Sequence, residues 1–252
     1  SQFKLLIPEM EIVFNKMKTF NVQGDDKRWV ELSKLFLSPF ILRRTKDEVL
    51  KNLPRKFEKN IFIELSEEEL SVYKAIRTIF IKAIETGISG RINSIALEGL
   101  LRLRQCCLSL NLLPKSLTHK GYVKSTKIEL AVKMIKDFIA DGHQILVFSQ
   151  FTSALDELEE RLTQDSVKLL LLTGNTRNRQ VLVDSFQNDD KNKVFLISLK
   201  AGGTGLNLTA ADRVILLDDW WNPAVENQAF ARAHRIGQHN TVEVYRLVCR
   251  NT

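Results

Sequence analysis

Three cysteines occur in the 252 residues, two of them adjacent (Cys106, Cys107), and no C-x-x-C pair is present. That is too few for a disulfide framework and points to a reducing compartment. No uninterrupted apolar stretch approaches the ~20 residues of a membrane span; Leu169–Leu172 and Val214–Leu217 have only four residues each. The amino terminus, Ser1-Gln-Phe-Lys-Leu-Leu-Ile-Pro-Glu9, has neither a signal-peptide layout nor an initiator Met, so a fragment of a longer chain is expected. No G-x-x-x-x-G-K-[ST] loop and no G-x-S-x-G elbow occurs anywhere. Secreted, membrane-spanning and collagenous classes are excluded. What remains, at 44% hydrophobic and 27% charged, is the balance of a folded chain, with a length for one large domain or two modest ones.

The net charge of +7 is unevenly spread. Residues 1–142 carry 25 basic and 17 acidic side chains, whereas residues 143–252 carry 12 and 13. The basic excess is densest from Arg43 to Lys59. Such a surface suits nucleic acid through phosphate neutralisation, and it equally suits a solvated, mixed-charge face.

Two rhythms divide the chain. Before residue 125 the pattern is mostly helical: a helix over Trp29–Leu37, an alternating strand over Lys56–Leu65, a helix after the N-cap Ser66 ending at Gly87, and a second over Ile92–Leu113 closed by Pro114. Residues 114–124 read as a loop. From Ser125 helices and strands alternate. Thr126 with Glu129 spells a capping box, and Gly142 ends that helix. Strand Gln144–Ser149, helix Ser153–Leu162, strand Lys168–Leu172, helix Arg177–Gln187, strand Lys193–Leu199, strand Arg213–Leu217, helix Pro223–Arg235 and strand Val242–Val248 follow. Strands separated by helical segments predict an α/β fold, a parallel sheet with helices on both faces. Ligands of such sheets sit at the carboxyl ends of the strands.

Two of those ends carry chemistry. Ala201-Gly-Gly-Thr-Gly205 permits a sharp turn that presents backbone N–H groups to an anion, and it also suits an ordinary turn. Asn222-Pro223 opens a helix on which Gln228, Arg232 and Arg235 share one face. Two guanidinium groups there need a shared anion or carboxylate partners.

Gln144-Ile-Leu-Val-Phe-Ser-Gln-Phe151, Ser198–Leu208 with Arg213-Val-Ile215, and Asp219–Gln238 resemble helicase motifs IV, V and VI. Trp221-Asn-Pro223 and Arg232-Ala-His-Arg-Ile-Gly-Gln238 resemble the Swi/Snf-like family of helicase superfamily 2. Pro39–Leu50 with Leu53-Pro54 resembles that family's interlobe linker, and Leu101-Arg-Leu-Arg-Gln-Cys106 and Ser125-Thr-Lys127 resemble further landmarks. The resemblance runs from about residue 30 to the end. It implies a linker and helical insertion over residues 1–124 and a second RecA-like lobe over 125–252, part of an ATP-dependent duplex-DNA translocase. It further implies Arg232 and Arg235 as arginine fingers, Gln228 as a supporting contact and Gly205 as the backbone approach to the nucleotide. Ser149, Gln150, Gly174, Thr176, Ser198 and Lys200 are implied as DNA-backbone contacts, and Trp221 as a probe of a DNA groove.

ATP and Mg²⁺ are then expected to bind mainly through a first RecA-like lobe carried before Ser1, so that this chain alone is inactive. Double-stranded DNA and that first lobe are the expected partners, with nucleosomes or another DNA-bound protein as the object moved and no membrane. Location is expected to be intracellular, in the nucleoid of a bacterium or the nucleus of a eukaryote. Asp219, beside Asp218, is read as structural. His234, His239 and Cys249 do not have metal-ligand spacing. The alternative to the motor is a DNA-binding or protein-docking module on the same fold, and a single-strand or RNA helicase lobe is a third reading.

Overall fold

Six strands, all parallel, form one sheet in the computed structural model, which describes residues 54–86, 92–118, 121–189, 191, 193–202, 206–219 and 222–252. The helix expected over Trp29–Leu37, Gly205 and Trp221 lie outside the described residues, as do the side chains of residues 202, 223–225 and 228. The described residues fall in one unit, Asn52–Thr252. In chain order the elements are β1 (Lys56–Ile63), α1 (Glu67–Thr86), α2 (Ile92–Leu108), a 3₁₀ turn (Leu110–Leu112), α3 (Thr126–Ala140), β2 (Ile145–Ser149), α4 (Thr152–Gln164), β3 (Leu169–Leu172), α5 (Arg179–Asn188), β4 (Val194–Ser198), the single turn α6 (Leu199–Gly202), β5 (Arg213–Leu216), α7 (Pro223–Ala233) and β6 (Val242–Cys249). Strand order is β1-β6-β5-β2-β4-β3.

The sheet is parallel because its strands are apolar on both faces and need cover on both. β2 and β4 are buried at every residue. Leu146 and Phe148 of β2 pack with Phe186 of α5 and Phe230 of α7, while Ile145 and Val147 point the other way onto Ile128 and Ile135 of α3 and Leu155 and Leu158 of α4. Two cores therefore sit back to back across one sheet. A third, smaller core of Ile76, Cys106, Leu110 and Leu113 closes the α1–α2 hairpin.

β1 belongs to this sheet. The sequence reading put it in the segment before residue 125, yet it pairs with β6 along its whole length, from Lys56 opposite Val242 to Ile63 opposite Cys249. Lys59 Nζ adds an ion pair to Glu243 at 2.9 Å. The long-range pairing is invisible in local periodicity, which shows only that a strand exists.

Several ends follow the local signals and two do not. Ser66 Oγ accepts from the Glu69 N–H while the Glu69 carboxylate accepts from the Ser66 N–H, a reciprocal capping box. Gly142, at φ +85°, closes α3 with its N–H on Ile139 O and the His143 N–H on Phe138 O. The Thr126–Glu129 box is corrected: Ser125 is the N-cap, its Oγ accepting from Ile128 N, and Glu129 pairs with Arg161 instead. Thr126 donates its N–H and hydroxyl to buried Glu69, so the first turn of α3 is held by α1. The helix expected to reach Leu113 ends at Leu108, because Ser125 Oγ takes the Leu108 carbonyl at 2.6 Å and Ser109 caps the following 3₁₀ turn.

Among the described residues no helix is long and apolar enough to cross a membrane. Gly99 lets α2 approach α1, since a Cβ there would lie 2.8 Å from Phe80 Cγ, near the rigid root of that ring. Gly99→Ala is expected to cost about 1–3 kcal/mol by overpacking, read as a lower urea midpoint at unchanged slope. An unchanged midpoint would show that the hairpin can slide open without penalty.

Candidate functional site

The carboxyl ends of β2, β4 and β5 converge on a buried carboxylate. Ser149 and Ser198 end β2 and β4 as direct register partners, and Phe148 is opposite Leu216 of β5. Just past β5, Asp218 accepts from Ser149 Oγ and from the Gln150 N–H at 3.2 Å. Arg104 of α2 reaches across, with Nη2 3.5 Å from Asp218 and Nη1 donating to Gln150 Oε1 at 3.2 Å. It also donates to the Asp219 carbonyl. One arginine thus ties the helical hairpin to the sheet edge. Burial, opposed by the Ser149 and Gln150 bonds and by Arg104, pushes the Asp218 carboxyl above its ordinary value near 3.8.

The Ser149 hydroxyl is turned inward: it donates to Asp218 and accepts from Phe151 N at 3.0 Å. Ser198 is likewise buried, whereas Lys200 on α6 is exposed. Gln150 is half-buried, and its Nε2 has no hydrogen-bond partner among the described residues. Gly174 is exposed in the turn after β3, where Thr176 Oγ1 accepts from Thr173 N at 3.0 Å. Arg179 crosses that turn, with Nε 3.4 Å from Thr176 O and Nη2 3.4 Å from Gly174 O.

The second cluster stands at the end of α7. Arg232 is half-buried and Arg235 exposed. Burial lowers the Arg232 pKa, and the positive charge of Arg235 lowers it further. Leu208 N donates to Arg232 O at 3.0 Å, binding the segment after the Gly-rich loop to this helix. Gln238 locks the junction. Its buried Nε2 contacts the carbonyls of Thr209, Ala211 and Ala233 at 3.0, 2.8 and 3.2 Å, and its Oε1 accepts from His239 N and Asn240 N. His234 Nε2 lies 2.7 Å from the Pro54 carbonyl. Buried Glu226 pairs with Arg246 of β6, which also lies 3.6 Å from Asp219.

The expected residues therefore fall into two groups: a strand-end group of Ser149, Gln150, Gly174, Thr176, Ser198 and Lys200, and a group at the end of α7. There Arg232 stands in the last turn, while Arg235, expected on the same helix face, lies two residues past the helix end at Ala233. The backbone of Gln228 lies on α7 as well. Sequence reasoning passed over Asp218, Arg104, Arg179 and Gln238 as site-building residues. An arginine within an apolar helix and a glutamine closing a loop are weak signals, meaningful only once their partners are known. Cationic α7 residues fit a polyphosphate. Asp218 is engaged on both oxygens, so it offers no free pair of donors to Mg²⁺.

Comparison with known proteins gives two family matches: residues 126–237 match the helicase conserved C-terminal domain, and residues 5–112 match the SNF2-related domain. An uncharacterised ATP-dependent helicase of Mycoplasma genitalium is 39% identical over 236 residues, covering 92% of this chain and 22% of the relative. The human chromodomain-helicase-DNA-binding protein 8 is 35% identical over 253 residues, covering 91% of this chain and 10% of the relative. The chain thus spans about a fifth of the first relative and about a tenth of the second. Among solved structures, the C-terminal domain of the Sulfolobus solfataricus SWI2/SNF2 ATPase is 28% identical with a TM-score of 0.65, covering 78% of this chain and 81% of that one. The core of that ATPase in complex with double-stranded DNA is 30% identical with a TM-score of 0.67, covering 91% and 48%.

The raised pKa of Asp218 has a definite sign. A carboxyl held above its unfolded value binds more protons when folded, so its contribution to stability is lost as pH rises from about 3.8 through the raised value. Asp218→Asn removes this titration. Its stability relative to the wild type should therefore improve between pH 4 and pH 7, measured by urea unfolding at each pH; a constant difference would show that Asp218 keeps its ordinary pKa.

Proposed function

Because this chain belongs to the Swi/Snf-like family of helicase superfamily 2, we propose that it is the second motor lobe of an ATP-dependent duplex-DNA translocase. The observation that carries this is the placing of Arg232 in the last turn of α7 with Arg235 just past the helix end, the Arg235 charge helping to lower the Arg232 pKa, in a segment tied to the preceding loop through Leu208 and Gln238. A docking module gains nothing from two guanidinium groups held near one another. Phosphoryl transfer does, because negative charge spreads over the transferred group and fixed guanidinium groups stabilise it, typically by about 10³–10⁵ in rate. In this reading Arg232 and Arg235 are the fingers, Gln228 supports them, and Gly205 leaves room for the nucleotide.

Mg²⁺ and most of the ATP contacts fall to the first RecA-like lobe, and residues 1–124 serve as linker and helical insertion ahead of the lobe at 125–252, except that β1 adds an edge strand to the lobe's sheet. The lobe acts on the nucleotide only in partnership, so this chain alone turns over no ATP.

DNA is read by its backbone. Exposed Lys200 and Gly174, half-buried Thr176 and the Gln150 Nε2, which has no partner among the described residues, lie at or just beyond the ends of β2, β3 and β4. They offer a charge, backbone groups and neutral donors, which suit phosphate oxygens and carry no sequence information. Ser149 and Ser198, being buried, act as positioning residues for these neighbours. Trp221 is the proposed groove probe. The object moved is DNA itself or a protein bound to it, nucleosomes included.

ATP hydrolysis by the full-length parent, with and without duplex DNA, beside Arg235→Ala and beside this chain alone, tests the motor. DNA-stimulated turnover should fall by about 10³-fold or more in the variant, with none from the chain alone. No turnover in the parent would favour the docking module. Turnover untouched by the substitution would displace the finger from Arg235, and stronger stimulation by single strands would favour the third class of helicase. Lys200→Ala in the same parent should weaken duplex binding alike on unrelated sequences and flatten the log–log salt dependence by about 1; an unchanged slope would remove Lys200 from the phosphate contacts.

A further inference from the structure

Two of the three cysteines meet beside the Asp218–Arg104 cluster. Cys107 stands in the last turn of α2 and Cys249 ends β6. Both are half-buried, and the Cys249 thiol donates to the Cys107 carbonyl at 3.3 Å. Both line a cavity of about 270 Å³ that also exposes Tyr73 of α1, Arg104 of α2, Lys127 of α3 and, beyond β5, Asp218 and Asp219. The Lys127 ammonium is fixed there by the carbonyls of Leu247 and Leu217, at 2.8 and 3.2 Å. Its first anchor is two residues from Cys249. Glu69, the nearest carboxylate on α1, is occupied by Ser66 and Thr126.

This setting separates the three thiols. The adjoining Cys107 thiol lowers the Cys249 pKa, against the opposing effect of burial and with help from Lys127. Cys249 in turn, together with burial, pushes the Cys107 thiol up. Cys106, fully buried and donating to the Glu69 carbonyl, is pushed up to about 12. Cys249 is thus the most acidic of the three thiols and the first to reach the thiolate form that attacks electrophiles, while its neighbour keeps a proton to give up later. Tyr73, raised from 10 by burial, stays neutral.

The geometry points to Cys249 as a covalent-modification site for peroxides, with Cys107 as the resolving thiol that closes a disulfide between α2 and β6. The Cys249 thiolate attacks the peroxide: an S–O bond forms, the O–O bond breaks, and the leaving hydroxide takes a proton to become water. The sulfur is oxidised by two electrons and the peroxide reduced by two. Cys107 sulfur then displaces hydroxide from the sulfenic acid; the S–S bond forms, the S–O bond breaks, and the Cys107 proton leaves in a second water. One hydrogen peroxide and two thiols give one disulfide and two waters, reversed by a dithiol reductant. The link would fasten α2 to the sheet three residues from Arg104, on the same helix face, beside the arginine's contacts to Asp218 and Gln150. None of this depends on the motor reading.

The test uses the reduced 252-residue chain with about one equivalent of hydrogen peroxide at pH 7, followed by maleimide quenching, trypsin and mass spectrometry. The expected product joins the peptide Leu247–Arg250 to Gln105–Lys115 with the loss of two hydrogens. It should persist in Cys106→Ala and vanish in Cys107→Ser, where Cys249 instead accumulates as a sulfenic acid trapped by dimedone. Maleimide should label Cys249 with a pH midpoint below the ~8.5 of an ordinary thiol. Three results would each overturn the proposal: linkage through Cys106, over-oxidation of Cys249 without linkage, or labelling of Cys249 no faster than of Cys106. Urea unfolding of the variants keeps a misfolded chain from passing as a negative result.

Discussion

A parallel sheet must be covered on both faces, and the rest of this structure follows from that constraint. Its crossovers need a dozen or more residues each, which are spent on helices, and those helices bury the two apolar faces of β2 and β4. Because every strand runs the same way, every loop that leaves a strand's carboxyl end opens on one edge. Ser149, Ser198 and Asp218 meet there for this reason, although up to 69 positions separate them in sequence.

That edge is held by polar groups that would be costly if left alone. Asp218, Glu69, Lys127 and Gln238 are all buried, and each is satisfied by partners from distant elements. An unpaired buried group costs ~1–3 kcal/mol or more, so such networks tolerate few alternative arrangements. Glu69 and Lys127 join the helical hairpin, α3 and the sheet; Arg104 joins the hairpin to the strand ends; Gln238 joins the two loops around α7. The α1–α2 hairpin is consequently a supporting wall of the edge where the proposed DNA contacts stand.

Single elements were legible wherever the signal is local. The Ser66–Glu69 box, Gly142 and the apolar runs of β2, β4 and β5 put helix and strand within a few residues of their observed bounds. Legibility failed where a distant partner outcompeted a local one. Thr126 and Glu129 have capping-box spacing, but Glu69 claims Thr126 and Arg161 claims Glu129, leaving Ser125 to cap. The apolar pattern of 92–113 looks continuous, and the helix stops at Leu108 because Ser125, from beyond the next loop, takes its carbonyl.

The sequence by itself determined the α/β alternation, the parallel two-faced sheet and the placing of Arg232 on the helix opened by Asn222-Pro223, since each depends only on periodicity and short-range capping; Arg235, expected on the same helix face, lies beyond the helix end at Ala233. Family membership was equally legible in the spelling of its motifs. Tertiary structure alone decided that β1 joins β6, that the Ser149 hydroxyl serves Asp218, that Gln238 staples two loops, and that Cys107 meets Cys249. Each of these is a pairing across 27 to 184 positions. Such pairings arise when buried donors, acceptors and charges must find partners in a packed interior, and no local pattern encodes which partner lies within reach.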